Sequence, residues 1–133
     1  EDMVFYTAKA GSAVELTIAL GDEKDFSVSL NGVKIRCDSG NKSLEVTGCR
    51  RQEGEEKWRR AEKTQIDGGC CKKEITLEKA PDRISILADQ EILEITADDG
   101  MLCAVFEIEC GQEREQTQAV VKTLGKINFY EIR

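Results

Sequence analysis

The chain has 133 residues, a net charge of −7, and 40% hydrophobic against 34% charged residues. That length and balance describe one folded domain, 1–133, able to bury a core, and exclude a disordered chain. The negative surface disfavours nucleic acid and anionic lipid. No apolar run is long enough for a membrane-spanning helix, and the start lacks the basic-then-apolar pattern of a signal peptide, so no membrane insertion is expected.

Met3 to Tyr6 is a short apolar opening that Gly11-Ser12 breaks. Val14, Leu16, Ile18 and Leu20 then alternate with Glu15, Thr17 and Ala19, the period-two signature of a strand with one buried face. After the turn Gly21-Asp22-Glu23-Lys24-Asp25, two alternating runs follow, Phe26 to Leu30 and Val33 to Cys37. Asn31-Gly32 joins them, a dipeptide whose residues both tolerate positive φ, so a tight hairpin is predicted. Leu44 and Val46 make another strand, ended by Gly48.

Arg50 to Gly69 reads as a long charged excursion with a candidate helical turn around Glu55 to Lys63 and only Trp58 and Ile66 as large apolar residues. The sheet pattern resumes with Cys71, Ile75 and Leu77 on one parity, and Ala80-Pro81-Asp82 is a turn. Ile84 to Glu109 then forms a meander of three apolar runs, split at Asp89-Gln90 and at Asp98-Asp99-Gly100, around which the core is expected. Its last run, Met101 to Ile108, is apolar at both parities and is expected to be covered on both faces. Gly111 to Glu115 is a polar turn, and Ala119 to Lys122 and Ile127 to Ile132 close the chain across Leu124-Gly125. About ten to twelve short strands at regular spacing predict an all-β, antiparallel β-sandwich.

Six cysteines and no histidine narrow the chemistry. Outside the cell the cysteines would be disulfide staples; inside it they would be thiols or ligands. With no Cys-x-x-Cys pair, disulfide bracing is the expected use: Cys37 with Cys49, and Cys70 and Cys71 with Cys103 and Cys110, since neighbours on a strand face opposite ways. Asn41-Lys42-Ser43 is an N-glycosylation acceptor in a polar loop, which adds to a secreted or extracellular expectation.

Without histidine, Ser-His and Cys-His nucleophile pairs and histidine zinc sites are excluded, and no phosphate-cradling glycine loop is present. A hydrolase with two carboxylates cannot be read from abundance alone, so no enzyme activity and no cofactor are expected. The acid-rich turns at Asp22-Glu23-Asp25 and Asp98-Asp99-Gly100 match no calcium-loop spacing and read as solvated turn carboxylates. The lone tryptophan, Trp58, stands among Lys57, Arg59 and Arg60: exposed, it would anchor a protein or stack on a sugar; buried, it would be core. Tyr6 and Tyr130 are further candidates for a ligand surface.

The strand number, the length and the closing run Leu124-Gly125-Lys126-Ile127-Asn128-Phe129-Tyr130-Glu131-Ile132-Arg133 resemble galectin-like or laminin-G-like jelly-roll sandwiches. The resemblance is architectural. The galectin sugar-binding pattern begins with histidine, which this chain lacks, and no function is carried over from it. The leading expectation is a non-enzymatic secreted or cell-surface recognition module that captures a protein partner through the loop from Arg50 to Gly69. The alternatives are a lectin-like carbohydrate-binding module reading a glycan through Trp58, a secreted protease inhibitor, and a structural segment of a larger ectodomain.

Overall fold

A computed structural model describes residues 3–9, 11–50, 62–67, 70–89, 92–100, 102–108 and 116–132. These residues form twelve strands: β1 (Met3–Lys9), β2 (Ala13–Ala19), β3 (Phe26–Leu30), β4 (Val33–Asp38), β5 (Ser43–Arg50), β6 (Glu62–Asp67), β7 (Cys70–Thr76), β8 (Arg83–Ala88), β9 (Ile92–Ala97), β10 (Leu102–Ile108), β11 (Gln116–Thr123) and β12 (Lys126–Ile132). Every pairing is antiparallel. A front sheet runs β6-β7-β5-β4-β3-β11-β1 and a back sheet runs β10-β9-β8-β2-β12. The predicted antiparallel β-sandwich is the observed architecture.

Alternation explains the layering. Leu16, Ile18, Ile84, Ile86, Leu93, Ile95 and Phe106 of the back sheet turn inward onto Val28, Leu30, Ile35, Leu44, Val46 and Val121 of the front sheet, all nearly inaccessible to solvent. Each such side chain removed from water contributes about 1.5–3 kcal/mol before ordering costs. A one-residue slip of any of these strands would turn its apolar set out to water, so the pattern also fixes the register. The predicted hairpin at Asn31-Gly32 is present: φ is 50° and 88°, and Leu30 faces Val33 across the turn.

Several expectations are corrected. The break at Asp98-Asp99-Gly100 is a single 3-10 turn, in which Asp98 takes φ 42° and its carboxylate accepts the backbone N–H groups of Asp82 and Arg83 at 2.8–3.1 Å. β10 is covered on one face only: Ala104 and Phe106 are buried while Cys103 is exposed. The charged excursion contains a strand, β6, antiparallel to β7, so the candidate helical turn does not extend through Glu62 and Lys63.

The sheets join at a bulge. β5 lies beside β4 over Ser43–Thr47, and its ladder with β7 slips between Thr47 and Cys49. Gly48 sits at the slip with φ 93°, so close to the first hairpin that an added Cβ would lie 2.5 Å from the Gly32 carbonyl oxygen. Past it, Cys49 and Arg50 pair with Ile108 and Glu107 of β10, linking front to back.

The expected Cys37–Cys49 bridge is not formed. Cys37 faces Leu44 across the β4–β5 ladder, and Cys49 lies five positions further along β5, roughly 17 Å away. A disulfide needs Cα atoms within about 4.4–6.8 Å. Cys37 is a buried free thiol and Cys103 an exposed one opposite Thr96. Cys49 and Cys71 are register partners on β5 and β7, Cys70 opposes Asp67, and Cys110 lies outside the described residues.

Burial, then the charges of Asp25 and Asp38, push the Cys37 thiol up from 9.0 to about 11. Between those values the unfolded thiol has lost its proton while the folded one keeps it. The contribution of Cys37 to stability is therefore complete below pH 9 and lost as pH rises toward 11. In the native protein, iodoacetamide followed by peptide mapping is expected to label Cys103 and spare Cys37; equal rates at the two sites would contradict this placement.

Candidate binding site

Alternation sends one set of front-sheet side chains outward, and the registers align them in two rows. One row reads Phe5, Val120, Ser29, Lys34, Thr47 across β1, β11, β3, β4 and β5. The next reads Met3, Lys122, Ser27, Arg36, Glu45. Between them lies a groove of about 680 Å³, floored by β3 and β4 and walled by Met3, Val120, Lys122, Lys34, Arg36, Asp25 and Asp38. That volume falls in the range that encloses a small ligand, roughly 300–1,000 Å³.

The groove is graded along its length. Met3 is an exposed apolar residue at one end, 54% accessible, with Val120 beside it. The hydroxyls of Ser27 and Ser29 occupy the middle and the cations Lys34 and Arg36 follow on β4. Two carboxylates close the far corner, held by the β4–β5 turn. Asp25 Oδ1 accepts from Ser39 N at 2.8 Å and from Ser39 Oγ at 2.6 Å. Those two bonds, and then the Arg36 charge, hold the Asp25 carboxyl below its usual range. Asp38 accepts from Asn41 N at 3.3 Å and from Asn41 Nδ2 at 2.8 Å. Asn41, first residue of the Asn-Lys-Ser triplet, is exposed in this turn.

Lys57, Trp58, Arg59 and Arg60 lie outside the described residues. Tyr6 does not line a ligand surface with Tyr130: its ring stacks on Phe129, centroids 4.8 Å apart, where the edges of the two sheets meet, while Tyr130 is exposed on the back-sheet edge. The acid-rich turns serve the loops, Asp25 tying Ser39 and Asp98 tying Asp82 and Arg83. Sequence reasoning missed the groove. The signal it held was the polar parity of β3 and β4, Ser27, Ser29, Lys34 and Arg36, but nothing in it says that β11, ninety residues later, pairs with β3.

The strand arrangement is a galectin-like antiparallel β-sandwich. Galectin-Ib from Xenopus laevis is similar over 97% of this chain and 100% of its own, at 12% identity and a TM-score of 0.53. An exo-inulinase from Aspergillus awamori is similar at 14% identity and a TM-score of 0.56, and a fructofuranosidase from Schwanniomyces occidentalis complexed with fructose at 12% and 0.52. This chain covers 27% of each of those two enzyme chains. At these identities the likeness is one of fold. Neither a protein-family model nor a curated protein matches the sequence.

Proposed function

We propose that this chain is a non-enzymatic, lectin-like recognition module that holds a carbohydrate in the outer groove of the front sheet. The observation that carries the reading is the juxtaposition, in one groove, of the apolar Met3 and Val120 with hydroxyls, the three cations Lys34, Arg36 and Lys122, and two carboxylates. A sugar ring needs both kinds of surface: a C–H face to lay on apolar groups, and ring hydroxyls that donate and accept. Arg36 offers several donors in a fixed fork, the serine hydroxyls donate or accept, and Asp25 and Asp38 are acceptors already oriented by the turn. The rigid ladders beneath keep these groups in place without ligand, which lowers the ordering cost of binding. The galectin-like fold, shared with a protein named as a lectin, supports the same reading. A secreted or cell-surface location follows as part of the proposal, with Asn41 exposed where a glycan would be attached.

An oligosaccharide array probed with the wild-type chain and with Arg36→Ala tests it. The wild type is expected to bind a defined subset of saccharides, and Arg36→Ala to weaken that binding about tenfold to a hundredfold, the loss of a charge-assisted hydrogen bond. Because Arg36 is exposed, its unfolding midpoint should stay unchanged. Wild-type silence across the array, or indifference to Arg36→Ala, overturns the proposal.

A further inference from the structure

The groove is more cationic than the molecule that carries it. Overall the chain has a charge of −7, yet Lys34 and Arg36 stand two positions apart on β4, both exposed and on the same face. Their Cβ atoms are therefore about 7 Å apart, a spacing that one anionic group can bridge.

Neighbouring acids do not neutralise the pair by contact. Asp25 and Asp38 direct their carboxylates at Ser39 and Asn41. Glu45, across the ladder from Arg36, is ion-paired to Lys72 at 3.5 Å. Among the described residues neither Lys34 nor Arg36 forms an ion pair. Two like charges held side by side repel each other, and an anion placed between them relieves that repulsion.

We infer that the saccharide taken by the groove is anionic, with its carboxylate or sulfate held between Lys34 and Arg36 and its ring lying over Ser27 and Ser29 toward Met3. This rests on the carbohydrate reading and adds the class of sugar. The fork of Arg36 matches the two oxygens of a carboxylate or sulfate, and Lys34 supplies a point charge on the other side. Ser27, the register partner of Arg36, and Ser29, the partner of Lys34, stand one strand away, within reach of hydroxyls on the same ring.

The test is an array that presents each oligosaccharide backbone in neutral, sialylated and sulfated form. At about 50 mM salt the anionic forms are expected to bind at least ten times more tightly than their neutral parents, and the preference should shrink several-fold near 300 mM as screening grows. Lys34→Glu and Arg36→Glu should each abolish the preference while leaving the unfolding midpoint in place. The sialylated and sulfated arms identify which acid group is the natural one; tighter binding of either supports the inference. Equal binding of neutral and anionic forms overturns this inference but leaves the carbohydrate reading standing. Binding of no saccharide at all overturns both.

Discussion

Replacing Lys73 with glutamate is expected to cost the fold about 3–5 kcal/mol, a large part of the roughly 5–15 kcal/mol that holds a domain of this size together. Lys73 is on β7 with 1% of its surface exposed, on the same parity as Ile75 and Leu77. Its ammonium reaches across the gap between the sheets and lies 5.3 Å from the ring centroid of Phe106 on β10. A positive charge there is attracted by the negative face of the ring, and the aliphatic stem packs as core. A glutamate would bring the opposite charge to the same face, or take up a proton at a cost in free energy to avoid doing so. The control is its neighbour Lys72, which points outward and is 42% exposed in its pairing with Glu45. Lys72→Glu should cost no more than about 1 kcal/mol, as surface pairs do. Urea unfolding of the two variants measures the difference; equal midpoints would mean that Lys73 is not in the core.

The second large effect is expected at Gly48, and it separates two reasons for a glycine. Gly21 has open space around it, so Gly21→Ala should be nearly neutral. Gly100 also has open space but a φ of 103°, and Gly100→Ala should cost about 1–2 kcal/mol for backbone strain alone. Gly48 combines φ 93° with a Cβ position 2.5 Å from the backbone oxygen of Gly32, and backbone cannot swing aside as a side chain would. Gly48→Ala should therefore cost more than Gly100→Ala, about 3 kcal/mol or above, and should loosen the β5–β10 junction. Amide exchange at Ile108 would report that loosening. A Gly48→Ala protein as stable as Gly21→Ala would remove the bulge from the account.

What could be read in the sequence divides along a physical line. Side-chain parity is local, so β2, β3, β4 and the Asn31-Gly32 hairpin were legible from spacing alone. Sheet neighbours are not local: β11 inserts between β1 and β3, and β12 flanks β2, through ladders that join distant parts of the chain. The groove depends on those ladders, since Lys122 and Val120 reach it only through β11. Lys73 shares the parity of Ile75 and Leu77, which places it inside, whereas its charge argues for the surface, and the Phe106 ring that it meets there is contributed by another sheet. In the sequence the stronger local sign of recognition is the lone Trp58 with its basic neighbours. A row of serine, lysine and arginine on alternate positions is an ordinary solvated strand face until a second strand turns it into a groove.

The most direct test of the central claim is a titration of the isotopically labelled chain with the oligosaccharide that binds best on the array, followed at the backbone amides. Shifts are expected to concentrate at Ser27, Ser29, Lys34, Arg36 and Val120, with unmoved amides at Ser85, Glu94 and Cys103 on the outer face of the back sheet. Shifts on the back sheet, or none at saturating sugar, would contradict it.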